Sequence, residues 1–97
     1  MKVEVEFSGG LELLFNNQKR ITIEGLKDDT NLAGLIAHLK AEHLKEKEEM
    51  FVVAGTVRAG IIVLINDCDW ELEGGIEYQI KDKDTIAFIS TLHGGWD

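Results

Sequence analysis

Apolar and polar residues alternate strictly at the start of the chain. Val3, Val5 and Phe7 fall on one face of an extended segment and Lys2, Glu4 and Glu6 on the other, which predicts a half-buried strand. Ser8-Gly9-Gly10 is a turn signal, and Asn16-Asn17-Gln18 is a second. Between them the apolar residues 11–15 either pair or simply pack. Alternation resumes over residues 19–24 with Ile21 and Ile23 inward, so residues 2–24 read as a β-hairpin with an irregular loop. The period then changes. Leu32, Leu35, Ile36 and Leu39 stand at i, i+3, i+4 and i+7, the stripe of a helix facing a core. Asp29 or Thr30 is the expected N-cap, and Asp28-Asp29 suits the positive end of the helix dipole. Lys40, His43, Lys45 and Lys47 lie toward its other end, residues 46–49 form a solvated turn, and residues 50–53 return to the core.

Gly55 and Gly60 bracket a loop containing Arg58. Ile61-Ile62-Val63-Leu64-Ile65 is the most hydrophobic run and is rich in β-branched residues, which predicts a central strand buried on both faces. Asn66-Asp67-Cys68-Asp69 turns the chain away, Trp70-Glu71-Leu72 is a short strand candidate, and Glu73-Gly74-Gly75 is a loop. Tyr78-Gln79-Ile80 is a short extended or bridging piece, ended by the turn Lys81-Asp82-Lys83-Asp84. Residues 85–90 form the last strand, with Ile86 and Phe88 on one face and Ala87 and Ile89 on the other. An α+β fold satisfies all of these faces. A mixed sheet of about four to five strands carries one main helix across it, and the final strand lies beside the first. That is the β-grasp arrangement of ubiquitin-like proteins. One domain spans residues 1–95, and residues 96–97 form an extension.

Composition narrows the function classes. Ninety-seven residues suit one domain with one modest core, and 44% hydrophobic with 29% charged residues is a globular balance. The net charge of −8 argues against direct nucleic-acid binding and for a basic partner surface. A single cysteine rules out an internal disulfide and a Cys-based metal cluster. No apolar run approaches the ~20 residues of a membrane span, and Lys2, Glu4 and Glu6 break any signal-peptide pattern. A cytoplasmic protein with no membrane partner is expected.

The candidate chemistry lies at the end of the chain, in Leu92-His93-Gly94-Gly95. Glycine has no Cβ, so an extended Gly-Gly threads a slot too narrow for other residues. A carboxylate at Gly95 is a group that an ATP-using partner can adenylate and that a sulfur or amine nucleophile can then attack. Gly9-Gly10 and Gly74-Gly75 are internal and read as turns. Trp96 and Asp97 stand between Gly95 and a free acid, as a native, processed or engineered extension. Other reactive residues have plainer readings. Cys68, between two aspartates, is structural or incidental. Asp67 and Asp69 lack the Gly and Glu of a calcium loop and read as turn formers. His38 and His43 are five apart, which does not place them on one helix face, so no metal site is expected. His93 reads as a recognition residue and Trp70 as packing. No catalytic set of Ser, His and Asp or of Cys and His can be assembled, so the chain is not expected to be an enzyme.

Residues 61–72 and 86–95, together with the hairpin from Val3 to Leu14 and Arg58 before the buried strand, closely resemble the ubiquitin-related modifier family. Ala59 stands where that family usually has proline, and the family usually ends at the di-glycine. The resemblance implies a sulfur carrier and protein modifier. An activating enzyme of the ubiquitin-activating type, with a sulfurtransferase module, would adenylate Gly95 with ATP and convert it to a thiocarboxylate. A transfer-RNA thiolase complex would use the sulfur for wobble-uridine 2-thiolation, or lysines of target proteins would accept the terminus as an isopeptide. No bound cofactor is implied, because ATP is consumed by the partner. Two alternatives share the fold: a non-covalent ubiquitin-like interaction domain, and the small subunit of a pterin- or thiamine-pathway sulfur-transfer complex.

Overall fold

The computed structural model describes residues 1–44 and 47–91. Strands β1 (Val3–Ser8) and β2 (Arg20–Ile23) pair antiparallel, with Val3 opposite Ile23 and Glu6 opposite Arg20, so that both alternating patterns put their apolar face on one side. The segment between them does not pair. Leu11–Phe15 is a 3-10 helix that sinks Leu11 and Phe15 into the core.

Helix α1 (Leu32–Glu42) buries the predicted stripe of Leu32, Leu35, Ile36 and Leu39. Its N-cap is Asn31 and not Asp29 or Thr30. The Asn31 side-chain oxygen accepts the Gly34 N–H at 2.9 Å, satisfying one of the amides that open a helix. Tertiary pairing selects this residue among three good caps. The Ile80 N–H donates to the Thr30 carbonyl, and Asn31 bridges Gln79, so the extended piece Tyr78-Gln79-Ile80 fixes where the helix begins.

The segment expected to return to the core over residues 50–53 and the start of the loop expected between Gly55 and Gly60 form a small hairpin of β3 (Val52–Val53) and β4 (Thr56–Val57). It turns on Ala54 and Gly55, both at positive φ as tight two-residue hairpin turns require. Strands β5 (Ile61–Ile65), β6 (Cys68–Asp69) and β7 (Thr85–Ser90) complete a five-stranded sheet of order β2-β1-β7-β5-β6. β1 and β7 run parallel and the other pairs antiparallel, giving the mixed sheet with the last strand beside the first.

Two expectations for the second half are corrected. β5 does lie inside the sheet, between β7 and β6, but it is not buried on both faces. β7 holds the centre, and on β5 only Ile61, Val63 and Ile65 are buried, whereas Ile62 is 44% exposed. A single helix covers one face of the sheet, so alternate side chains of an all-apolar strand are left on the other. The Trp70-Glu71-Leu72 strand is instead a 3-10 helix, Trp70–Glu73. Asn66 and Asp67, at φ 49° and 69°, make a two-residue turn that folds β6 back onto β5. Asp69 then captures the Glu71 N–H at 2.9 Å and coils the chain.

Four phenylalanines centre the core between helix and sheet. Phe7 stacks on Phe15 at 3.9 Å, and Phe51 meets Phe15 and Phe88 edge-on at 5.4 and 5.2 Å.

Candidate functional site

Leu92, His93, Gly94 and Gly95 lie outside the described residues, as do Trp96 and Asp97. The structure defines the platform that precedes them. Ser90, paired with Ile61, ends β7 and is 3% exposed. Thr91 follows and is tied to the loop before β5. Its N–H and its Oγ1 hydroxyl both donate to the Gly60 carbonyl, at 2.9 and 2.6 Å. On the β1 side, the turn at Gly9 (φ 70°) lies so close to β7 that a Cβ there would collide with the Ser90 carbonyl oxygen. The predicted turn at Gly9-Gly10 therefore has a second requirement, close backbone approach.

The opposite end of β7 is organised around a buried carboxylate. Asp84 is 6% exposed and accepts from the Tyr78 hydroxyl at 2.6 Å, the Asn66 side-chain amide at 2.9 Å and the Lys81 N–H at 2.9 Å. Burial alone would raise its pKa. The three hydrogen bonds, with the Lys81 charge, outweigh burial and hold it below the usual carboxylate range. Tyr78 is pushed in the other sense by burial, by its hydrogen bond to Asp84 and by the charges of Asp84 and Glu73. Asn66 also receives the Thr85 N–H on its side-chain oxygen and donates its own N–H to the Thr85 carbonyl. β5, β7 and the Tyr78 segment are thus locked in register at this end.

The sheet face away from α1 carries a surface that sequence reasoning missed. Ile62 stands opposite Ile89 and Leu64 opposite Ala87, forming an apolar patch on β5 and β7 that leads to Thr91. Across β1 and β2 the same face turns ionic: Arg20 pairs with Glu6 at 2.6 Å, and Thr22 donates to Glu4 at 2.9 Å. Because all five residues of β5 are apolar, no alternation signals which of them face outward.

The remaining candidates resolve individually. Cys68 is a free, exposed thiol in β6, Asp67 forms the turn, and Trp70 packs partly against the core. The rings of His38 and His43 approach to 5.7 Å, closer than helical spacing implied, because His43 is the C-cap residue and has left helical geometry. Among the described residues, no three His, Cys, Asp or Glu side chains converge, and no helix is long and apolar enough to cross a membrane.

Comparison with known proteins assigns the family. The profile of the Urm1 (ubiquitin related modifier) family matches residues 2–95. The ubiquitin-related modifier 1 homolog of Dictyostelium discoideum is 59% identical, covering 98% of this chain and 100% of the relative. Human ubiquitin-related modifier 1 is 50% identical, over 98% and 96% of the two chains. The solution structure of Urm1 from Trypanosoma brucei superposes with a TM-score of 0.86 at 46% identity, covering 97% of this chain and 95% of that one. The β-grasp fold, the order of elements and these full-length matches together place the chain in the ubiquitin-related modifier family, a family of ubiquitin-like modifiers and sulfur carriers.

Proposed function

We propose that the chain works as a carrier consumed at its own C-terminus, with the catalysis done by its partners. A ubiquitin-activating-like enzyme adenylates the Gly95 carboxylate with ATP and releases pyrophosphate. A persulfide sulfur on its sulfurtransferase module displaces AMP, and cleavage of the resulting S–S bond by a thiol leaves a thiocarboxylate. A transfer-RNA thiolase complex draws on that sulfur for wobble-uridine 2-thiolation in the cytoplasm. A lysine amine that displaces AMP instead gives the isopeptide conjugate. The domain of residues 1–95 binds no cofactor, and its part is to present Leu92, His93, Gly94 and Gly95.

The observation that carries this reading is the family match, which runs through residue 95 and so reaches the second glycine. The patch of Ile62, Leu64, Ala87 and Ile89 supports it, because it offers a partner an apolar landing surface on the strands that lead to the tail. Membership of a modifier family likewise favours it over a purely non-covalent role.

With Trp96 following it, Gly95 ends in an amide, which ATP cannot adenylate. In a chain ending at Asp97 the free α-carboxylate is displaced by ~7 Å of extended chain, and the Trp96 indole would have to enter a slot suited to glycine. The chain ending at Asp97 is therefore expected to be inert and the chain ending at Gly95 active. ATP–pyrophosphate exchange with an activating-type enzyme, with mass spectrometry of the terminus, compares the two. Equal exchange from both, with the adenylate mapped to Asp97, would overturn the role given to the di-glycine.

A further inference from the structure

We propose that Thr91, held on the Gly60 carbonyl, is a positioning residue that aims the C-terminal tail for activation. The inference rests on the reading of Gly95 as the acylated end. The Thr91 N–H at 2.9 Å continues the inter-strand ladder by one rung beyond Ser90. The Oγ1 contact at 2.6 Å is additional, and it uses the second lone pair of the same carbonyl. Two donors on one acceptor fix both the backbone and the side chain of the last residue before Leu92. Thr91 is exposed, so this hydroxyl contact fills no core and adds little to folding. Its effect is directional.

The acceptor and the flank are arranged to match. Gly60, which supplies the carbonyl, has φ 95°, a conformation that suits glycine. Gly9 presses on Ser90 from the β1 side, where no side chain fits. The strand end is thus braced from both neighbours, by β1 through Gly9 and by the β5 approach through Gly60. Gly95 is the fourth residue after Thr91, so the reach of the tether from this root is at most ~14 Å. Without the hydroxyl contact Thr91 is held by its amide alone, which loosens the root and widens the volume the carboxylate searches. Adenylation requires the carboxylate in line with the α-phosphate, and small misplacements of reacting groups are costly.

The test uses chains ending at Gly95 in ATP–pyrophosphate exchange with an activating-type enzyme. Thr91→Val keeps the shape and the amide but removes the hydroxyl donor, and Thr91→Ser keeps the donor. Thr91→Val is expected to lower kcat about fivefold, the rate equivalent of one hydrogen bond, with KM for the carrier unchanged. Thr91→Ser should stay within about twofold of wild type. Amide spectra superposing away from residues 58–62 and 89–91 would show that both variants are folded. An unchanged kcat for Thr91→Val, an effect confined to KM, or a Ser variant as impaired as the Val variant would each overturn the positioning role while leaving the proposed function standing. Absence of exchange from the wild-type chain ending at Gly95 would overturn the proposed function, and this inference with it.

Discussion

The two ends of β7 are fastened in opposite styles. At the Thr85 end, a buried carboxylate gathers three donors, and Asn66 clamps Thr85 through both its side chain and its backbone. At the Thr91 end, one exposed residue leans on one carbonyl, and a glycine turn flanks it. The first arrangement satisfies a group that would be very costly to bury alone, and it locks strand register. The second holds little energy and chiefly sets a direction. Under the proposed function, a carrier that delivers its terminus into another protein gains from this division. The rigid anchorage stays remote from the chemistry, and the root of the tail is steered lightly enough to seat in a partner.

The middle of the strand sets the scale for this contrast. Phe88 is fully buried and packs against Phe7 and Phe51. Phe88→Ala should cost about 4 kcal/mol in chemical denaturation, the usual range for a buried aromatic. A loss below about 1 kcal/mol would mean that the aromatic cluster does not centre the core.

Asp84→Ala should follow at roughly 3 kcal/mol, because it leaves Tyr78, Asn66 and the Lys81 amide without their acceptor. The pH dependence has a defined sign. The folded-state pKa of Asp84 is depressed, so as pH falls the unfolded chain takes up this proton before the native state does. The Asp84 contribution is therefore complete above the ordinary carboxylate pKa of about 4 and is lost as pH falls through the lower, folded value. Asp84→Asn should flatten the acid limb of the stability profile. An acid limb identical to wild type would show that other carboxylates dominate it.

These two ends also mark where the sequence could and could not be read. β1, β2 and α1 were legible because one face of each is buried and the other wet, which writes the period into Val3-Val5-Phe7, Ile21-Ile23 and Leu32-Leu35-Ile36-Leu39. β5 is apolar at all five positions, so its outward pair of Ile62 and Leu64 carried no signal, and the patch leading to Thr91 went with it. The two-residue strands β3 and β4 are too short to show a period at all. Three good caps stand in a row at Asp29, Thr30 and Asn31, and only pairing with Gln79 and Ile80 chooses among them. The di-glycine was visible as letters. Its platform was not, since Thr91 meets a carbonyl 31 residues away and Gly9 meets the far end of the chain.

The tail end can be loaded from its other flank. An alanine at position 9 would have to adopt the left-handed φ of 70° and drive its methyl into the Ser90 carbonyl. Left-handed backbone and overpacking together put Gly9→Ala at roughly 2 kcal/mol. The change should be visible as shifted amide resonances on both β1 and β7 at this end, while Thr85 and Asn66 stay in place. Shifts spread evenly along β7 would show that the two ends are not independent.

Thr91→Val should have the smallest effect on stability. The variant keeps the N–H bond to Gly60 and loses only an exposed hydroxyl bond, because the carbonyl it releases still has the amide as a partner. No buried polar group is orphaned, so the expected cost is the net worth of one hydrogen bond, about 1 kcal/mol, or ~4–8 °C in Tm for a domain of this size. The same variant is expected to slow activation about fivefold through kcat alone, and that kcat-only loss in a folded chain distinguishes an aiming contact from a structural one. Hydrogen exchange gives an independent reading of the contrast between the ends. The Glu4 amide, bonded to the Asp84 carbonyl beside the buried network, should exchange only on global unfolding. The Thr91 amide, one rung beyond Ser90, should open locally and exchange faster, and faster again in Thr91→Val. Thr91 protection equal to that of Glu4 would mean that the tail root is as firmly fixed as the far end, and the division of labour along β7 would be lost.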